Sequence, residues 1–113
     1  MNVLDEVKEI AGLMIRIAPD MEIEERVRFY QPLFFEWQHA KNKYQNGQKP
    51  SPEKFKVQVS WLLGSMRINK HAEAEQLIEK LTERVSLNDY PVLTAVWESL
   101  WDKELVQEVL EKK

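Results

Sequence analysis

MEIEERVRFYQPLFFEWQHAKNKYQN, residues 21–46, is the stretch from which the rest of the chain is read. It holds Phe29, Tyr30, Phe34, Phe35, Trp37 and Tyr44, six of the chain's eleven aromatic residues. Ile23, Val27, Tyr30, Phe34 and Trp37 recur at spacings of four and three, and Lys41 and Tyr44 continue the register. That period draws one apolar stripe along one side of a helix. Pro32 removes the N–H that would bond to the carbonyl of Arg28. The stripe nevertheless stays in phase across it, so the expectation is a single helix kinked at Pro32. Asn46-Gly47 is a C-terminal stop.

Upstream, Val3, Val7, Ile10, Met14 and Ile17 form the seam of a first helix from about Asn2 to Ala18, with Asp5, Glu6 and Glu9 toward its positive end. Leu13 falls off the seam and reads as an exposed leucine. Pro19-Asp20 ends this helix, and Asp20 is placed to cap the next. Downstream, Ser51-Pro52-Glu53 reads as the cap, first position and first-turn acid of a third helix reaching Met66 or Arg67. Phe55, Val59, Leu62, Leu63 and Met66 fill one side of it. At about 100° per residue, Val57, Trp61, Gly64 and Ile68 fall on the other. A helix apolar on two sides is usually central; alternatively the second side faces a partner, with Gly64 allowing close approach.

Asn69 is placed to cap a fourth helix, from Lys70 to about Val85, with its seam on Ala74, Leu77, Ile78, Leu81 and Val85. Pro91 opens a fifth with Val92, Leu93, Val96, Trp97, Leu100 and Trp101. Leu105, Val106, Val109 and Leu110 carry a shifted stripe, which predicts a bend near Asp102 or a separate last helix. No segment alternates as a half-buried strand does. The expected fold is all-α: a compact bundle of five to six short helices in one domain over residues 1–113, with the third helix central.

At 113 residues, 43% hydrophobic and 31% charged, the chain has the makeup of a compact folded protein. It has no cysteine, which excludes disulfides, thiolate metal sites and cysteine nucleophiles. No apolar run approaches the roughly 18 residues of a membrane span. The acidic start does not read as a signal peptide, and a cytoplasmic location is expected. The net charge of −3 conceals three blocks. Residues 1–25 hold seven acids and two bases, and residues 73–113 hold ten acids and five bases. Between them nine bases (Arg26, Arg28, Lys41, Lys43, Lys49, Lys54, Lys56, Arg67 and Lys70) face only Glu36 and Glu53. Either the middle helices pack beside acidic neighbours, or they present a basic face to an anionic partner.

Catalytic chemistry finds little footing. Glu36 and His39 have the Glu-x-x-His spacing of di-iron bundles, but a second copy is missing, since Ile68 stands three residues before His71. Ser60, Ser65 and His71 lack a nucleophile elbow, and Gly12, Gly47 and Gly64 are too scattered for a phosphate loop. No enzyme, metal or cofactor is expected.

Two binding readings remain. Phe35 lies roughly 140° and Phe29 about 100° off the stripe of the second helix, and Trp61 opposite the main face of the third. Phe29, Phe35 and Trp61, with Lys41 and Lys43, are the candidate protein-binding residues, unless these rings simply complete the core. Lys41, Lys43, Lys49, Lys54 and Lys56, interleaved with Tyr44, are the candidates for nucleic-acid binding, against a pI near 5.5. Val7-Lys8-Glu9-Ile10, through Ile15-Arg16, to Phe29 resembles the opening of phage anti-sigma proteins, which implies a regulator that docks on another protein. The expected function is a small non-catalytic regulator, inhibitor or adaptor. Docking on a partner protein or self-association would use an aromatic patch in a basic surround; no membrane or small-molecule substrate is expected.

Overall fold

The structure is a computed structural model, and it describes residues 2–66 and 68–111. Seven helices and no strand occur among them, where five or six helices were expected. Arg67, one expected end of the third helix and one base of the middle block, lies outside the described residues, as do Met1, Lys112 and Lys113.

Helix α1, Val3–Ile17, opens on Asn2, whose side chain accepts from the Asp5 amide at 2.9 Å. Every residue from Ile10 to Ile15 is buried, including Leu13 at 2% exposure, which the seam had left outside. The run Ile-Ala-Gly-Leu-Met-Ile has no polar side chain to turn outward, so this stretch of the helix is enclosed on all sides, while its first turn stays exposed. It packs against α5 (His71–Ser86), α6 (Tyr90–Ser99) and α7 (Lys103–Glu111), and it occupies the centre expected of the third helix.

The stretch 21–46 forms two helices rather than one kinked helix. Helix α2, Ile23–Phe29, ends and α3, Gln31–Gln45, begins at Tyr30, which takes φ −91° and ψ 1°. Hydrogen bonds run almost through the break, from the Tyr30 amide to Arg26 and from the Phe34 amide to Tyr30. Pro32 therefore sits in a first turn, where its missing N–H costs least. Tyr30 is fully buried and donates its phenol proton to the Met14 carbonyl at 2.7 Å, tying this break to α1. Glu22, not Asp20, stands at the N-cap of α2, its amide donating to the Glu25 carboxylate at 3.3 Å.

Arg26 makes a second tie. Its fully buried guanidinium donates from Nε to the Ala18 carbonyl at 2.7 Å, and from Nη2 to Met21 at 3.0 Å and Pro19 at 3.3 Å. These carbonyls lie at and just past the end of α1, where a cation is favourably placed. Loss of solvent lowers the guanidinium pKa from its usual value, although Tyr30, Glu22 and Glu25 oppose the shift.

Helix α4, Pro52–Ser65, begins as expected, with Ser51 accepting from the Lys54 amide at 3.2 Å. It is peripheral: it packs on α3 and α5 and buries Phe55, Val59 and Leu63. Lys70, not Asn69, is the N-cap of α5. Asn88 ends α5 with φ +54°, and the Asp89 amide bonds to the Arg84 carbonyl at 2.8 Å. Gly47 does the same service after α3, at φ +79°. Asp102 accepts from the Glu104 and Leu105 amides at 3.0 and 3.3 Å, which makes α7 a separate final helix.

Between α3 and α6, Phe34 stacks on Trp97 with centroids 4.2 Å apart, and Trp37 meets both rings edge-on at 5.5 and 6.0 Å. The radius of gyration, 13.5 Å, is that of a compact chain of this length, ~13 Å. No helix among the described residues is long and apolar enough to cross a membrane.

Candidate protein-docking face

Helices α3 and α4 are joined by residues 46–51 and pack side by side, so they form an antiparallel hairpin. Glu36, His39, Ala40 and Lys43 on α3 meet Ser51, Lys54, Phe55 and Gln58 on α4 across a groove of about 200 Å³. Each set follows helical spacing, so the stripes extend beyond the groove in both directions. Phe35 stands one turn before His39 on its stripe, and Trp61 one turn beyond Gln58. Both are solvent-facing, Phe35 at 58% and Trp61 at 70% exposure, and Val57, one turn before Trp61 on α4, is 68% exposed. Thus one end of the hairpin carries exposed apolar groups, and the loop end carries Lys43 and Lys54. Lys56 is exposed on α4 and Lys49 in the connecting loop.

The second side of α4 is therefore open. A Cβ built on Gly64 would meet nothing within 4 Å, so no backbone approaches there. Phe35 touches Phe34 at a centroid distance of 6.2 Å, and Phe34 in turn lies on Trp97, so the exposed ring rests on a firm base. Phe29 is different: it is half-buried, packs against the core and meets Tyr30 edge-on at 5.1 Å. It offers little free surface.

The lysines fall into two groups. Lys43 and Lys54 share the α3–α4 groove, whereas Lys41 and Tyr44 face α6. There, with Tyr90, Thr94 and Glu98, they line a cavity of about 440 Å³, and the Tyr44 and Tyr90 rings lie 5.7 Å apart. Burial pushes the Tyr90 phenol up, with the Tyr44 phenol adding to it, so Tyr90 is neutral at physiological pH. Among the described residues its hydroxyl and the Asn88 side-chain oxygen have no hydrogen-bond partner, but both atoms are sealed from solvent. An occupant of this cavity would meet rings and rim charges rather than those atoms.

Electrostatics separate the two explanations of the basic block. The acids of α1 are met by bases of the third block: Lys80 lies 2.8 Å from Glu9, and Arg84 4.0 Å from Glu6. Arg84 also binds Asp89 at 2.9 Å and Glu83 at 3.1 Å. The bond to Glu9 raises the Lys80 pKa, against a smaller loss from burial. Among the described residues, no lysine of the middle block stands within ion-pair distance of a carboxylate. Those lysines are therefore left to solvent, while Arg26 of the same block is held by backbone carbonyls.

Glu36 and His39 both line the groove, but among the described residues no cluster of three or more metal-ligating side chains forms. Sequence reasoning grouped Phe35, Trp61 and Lys43 in one candidate patch; Lys43 lines the α3–α4 groove, and Phe35 and Trp61 are exposed on its two helices. The side-by-side packing of α3 and α4 follows from the short 46–51 connection. No family model, curated protein or solved structure matches the chain.

Proposed function

We propose that this chain is a non-catalytic protein-binding module of the cytoplasm, which docks an acidic, partly apolar segment of a partner across the α3–α4 hairpin. It acts as a regulator, inhibitor or adaptor by occupying that partner. The observation that carries this reading is the exposure of Trp61, 70%, on a regular helix whose lysines have no ion-pair partner among the described residues. A bulky indole left in water on a rigid element, with Phe35 and Val57 near it, is the composition of an interface centre. Lys43 and Lys54, in the adjoining groove, would steer an acidic partner and set its orientation. An amphipathic helix laid along the α3–α4 groove is the mode such a surface suits.

Nucleic-acid binding through Lys41, Lys43, Tyr44, Lys49, Lys54 and Lys56 is less well supported. A backbone-tracking groove needs its cations in one line, and Lys41 with Tyr44 stands on the α6 side, away from Lys43 and Lys54.

Trp61→Asp and Phe35→Asp test the reading. Both side chains are exposed, so each variant should melt within about 2 °C of the wild type. Tagged wild type captures a defined host protein, identified by mass spectrometry, and both variants lose it. Undiminished capture by both variants, or a large loss of stability in both, would refute the docking face. A salt-sensitive gel shift with random-sequence DNA or RNA that disappears on Lys43→Glu/Lys54→Glu would favour the nucleic-acid reading instead.

A further inference from the structure

Lys41 and Tyr44 belong to the basic run of the sequence, yet they border a cavity on the α6 side that the docking face does not use. The two helices that wall it run antiparallel: Phe34 of α3 stacks on Trp97 of α6, and ten residues further along α3 Tyr44 meets Tyr90. One turn from the tyrosine pair each helix contributes a polar side chain, Lys41 on α3 and Thr94 on α6. A further turn, ~6 Å along α6, brings Glu98. The small side chains of Thr94 and Ala95 leave the space over α6 open, about 440 Å³ of it. Small-molecule sites commonly have volumes of ~300–1,000 Å³, lie between the helices of bundles, and set a few polar groups in an apolar lining.

The polar groups of this cavity are unengaged. Among the described residues Lys41 and Glu98 stand in no ion pair, with each other or with a third group. The hydroxyls of Thr82 and Ser99 each return to the carbonyl four residues back, at 2.7 Å, whereas that of Thr94 makes no such bond. Tyr44 leans on Tyr90 and is still 48% exposed, so it keeps surface for another ring. We infer that the α3–α6 cavity binds a free aromatic amino acid. Its ring packs on the tyrosine pair, its carboxylate accepts from the Lys41 ammonium and the Thr94 hydroxyl, and its ammonium donates to Glu98. The order of the groups along the helices, ring then cation then anion, is what selects this class. A nucleotide would bring several negative charges to a single lysine and set them against Glu98. A fatty chain would cover Lys41 and Glu98 and bind neither. The site stands apart from the α3–α4 docking face and does not rest on it.

Titration of the isotope-labelled full chain with L-phenylalanine, followed through its backbone amide resonances, tests this. Saturable shifts should centre on residues 41–45 and 88–98, with a Kd on the order of 1 mM. Two analogues divide the ligand. N-acetyl-L-phenylalanine keeps the carboxylate alone, as at the end of a chain, and L-phenylalaninamide keeps the ammonium alone, as at the start of one. Each should bind about tenfold more weakly or worse, because each leaves one charged side chain of the site unmatched. Glu98→Gln should erase the preference for L-phenylalanine over the N-acetyl form, and Lys41→Met the preference over the amide. Tyr44→Ala should weaken all three ligands. Lys41, Tyr44 and Glu98 are all at least partly exposed, so circular dichroism should show folded variants, and the two charge variants decide the matter if Tyr44→Ala does not fold.

No saturable shift with L-phenylalanine or L-tryptophan up to about 20 mM would overturn the inference, as would shifts centred outside the cavity. An N-acetyl form bound as tightly as the free amino acid would overturn it in favour of a peptide C-terminus, and an equally tight amide in favour of a peptide N-terminus.

Discussion

Tyr30→Phe removes one oxygen from the point where the aromatic stretch is fastened to the central helix, and its consequences can be worked from the geometry. The phenol donates to the Met14 carbonyl at 2.7 Å, and Tyr30 and Met14 are both fully buried. Phenylalanine keeps the ring and its packing, so the change isolates the hydrogen bond and the stranding of one buried acceptor lone pair. Such a loss costs about 1–2 kcal/mol. For a domain of this size that corresponds to a fall in melting midpoint of roughly 4–8 °C.

The pH dependence is more specific. Burial pushes the Tyr30 phenol above its ordinary value, with Arg26 opposing the shift more weakly. In the unfolded chain the phenol loses its proton near pH ~10. The folded state holds the proton more tightly, so the associated stability is fully present below that pH. It drains away as pH rises toward the higher folded value. Lys80, raised by its bond to Glu9, and Tyr90, raised by burial, drain in the same direction. They do so in both proteins and cancel in the difference. Urea titrations followed by circular dichroism from pH 7 to about 11 should therefore show wild type ahead by ~1–2 kcal/mol at neutral pH, with the gap closing above pH ~10. A variant equal to wild type at pH 7, or a gap that does not change with pH, would refute the fastening role of Tyr30.

Three further outcomes follow from burial and capping. Leu13→Ala, at a 2% exposed position on the central helix, should cost ~2–5 kcal/mol in urea unfolding, whereas Leu110→Ala, at 38% exposure, should cost under about 1. Asn88 holds φ +54° after α5, so Asn88→Gly should be neutral or slightly stabilising, and Asn88→Val should lower stability by about 1–2 kcal/mol in the same measurement. Asp102→Ala deletes the side-chain acceptor for the Glu104 and Leu105 amides, at a cost of ~1 kcal/mol. Hydrogen exchange should then quicken in α7 before it does in α1.

Local chemistry in the sequence located most helix ends, because caps act within one turn. Ser51-Pro52, Asn46-Gly47 and Pro91 stand where the structure uses them. The break at Tyr30 was not legible, and the reason is physical. An apolar stripe that stays in phase across a proline is compatible with a kink or with a one-residue interruption. What selects the second is the pull of Met14 on the phenol and of the α1 terminus on Arg26, partners 16 and 8 residues away. Block charges misled in a similar way. Lys41 and Lys43 belong to one basic run, but two residues on a helix are about 200° apart, so they face different neighbours. That separation was readable from spacing alone.

The exchange of α1 for α4 at the centre shows what a two-sided apolar pattern leaves undetermined. Between the apolar positions of α4 stand Lys54, Lys56, Gln58 and Ser60, while the run from Ile10 to Ile15 on α1 has nothing charged at all. Enclosing α4 would take lysine ammonium groups out of water, and an unpaired buried charge is far more costly than an exposed indole. The lysines thus hold the second side of α4 at the surface, and Val57 and Trp61 stay exposed with it. The same constraint limits what can later cover that face. An apolar partner without carboxylates would repeat the cost that kept α4 out of the core. A partner that supplies carboxylates beside an apolar centre avoids it.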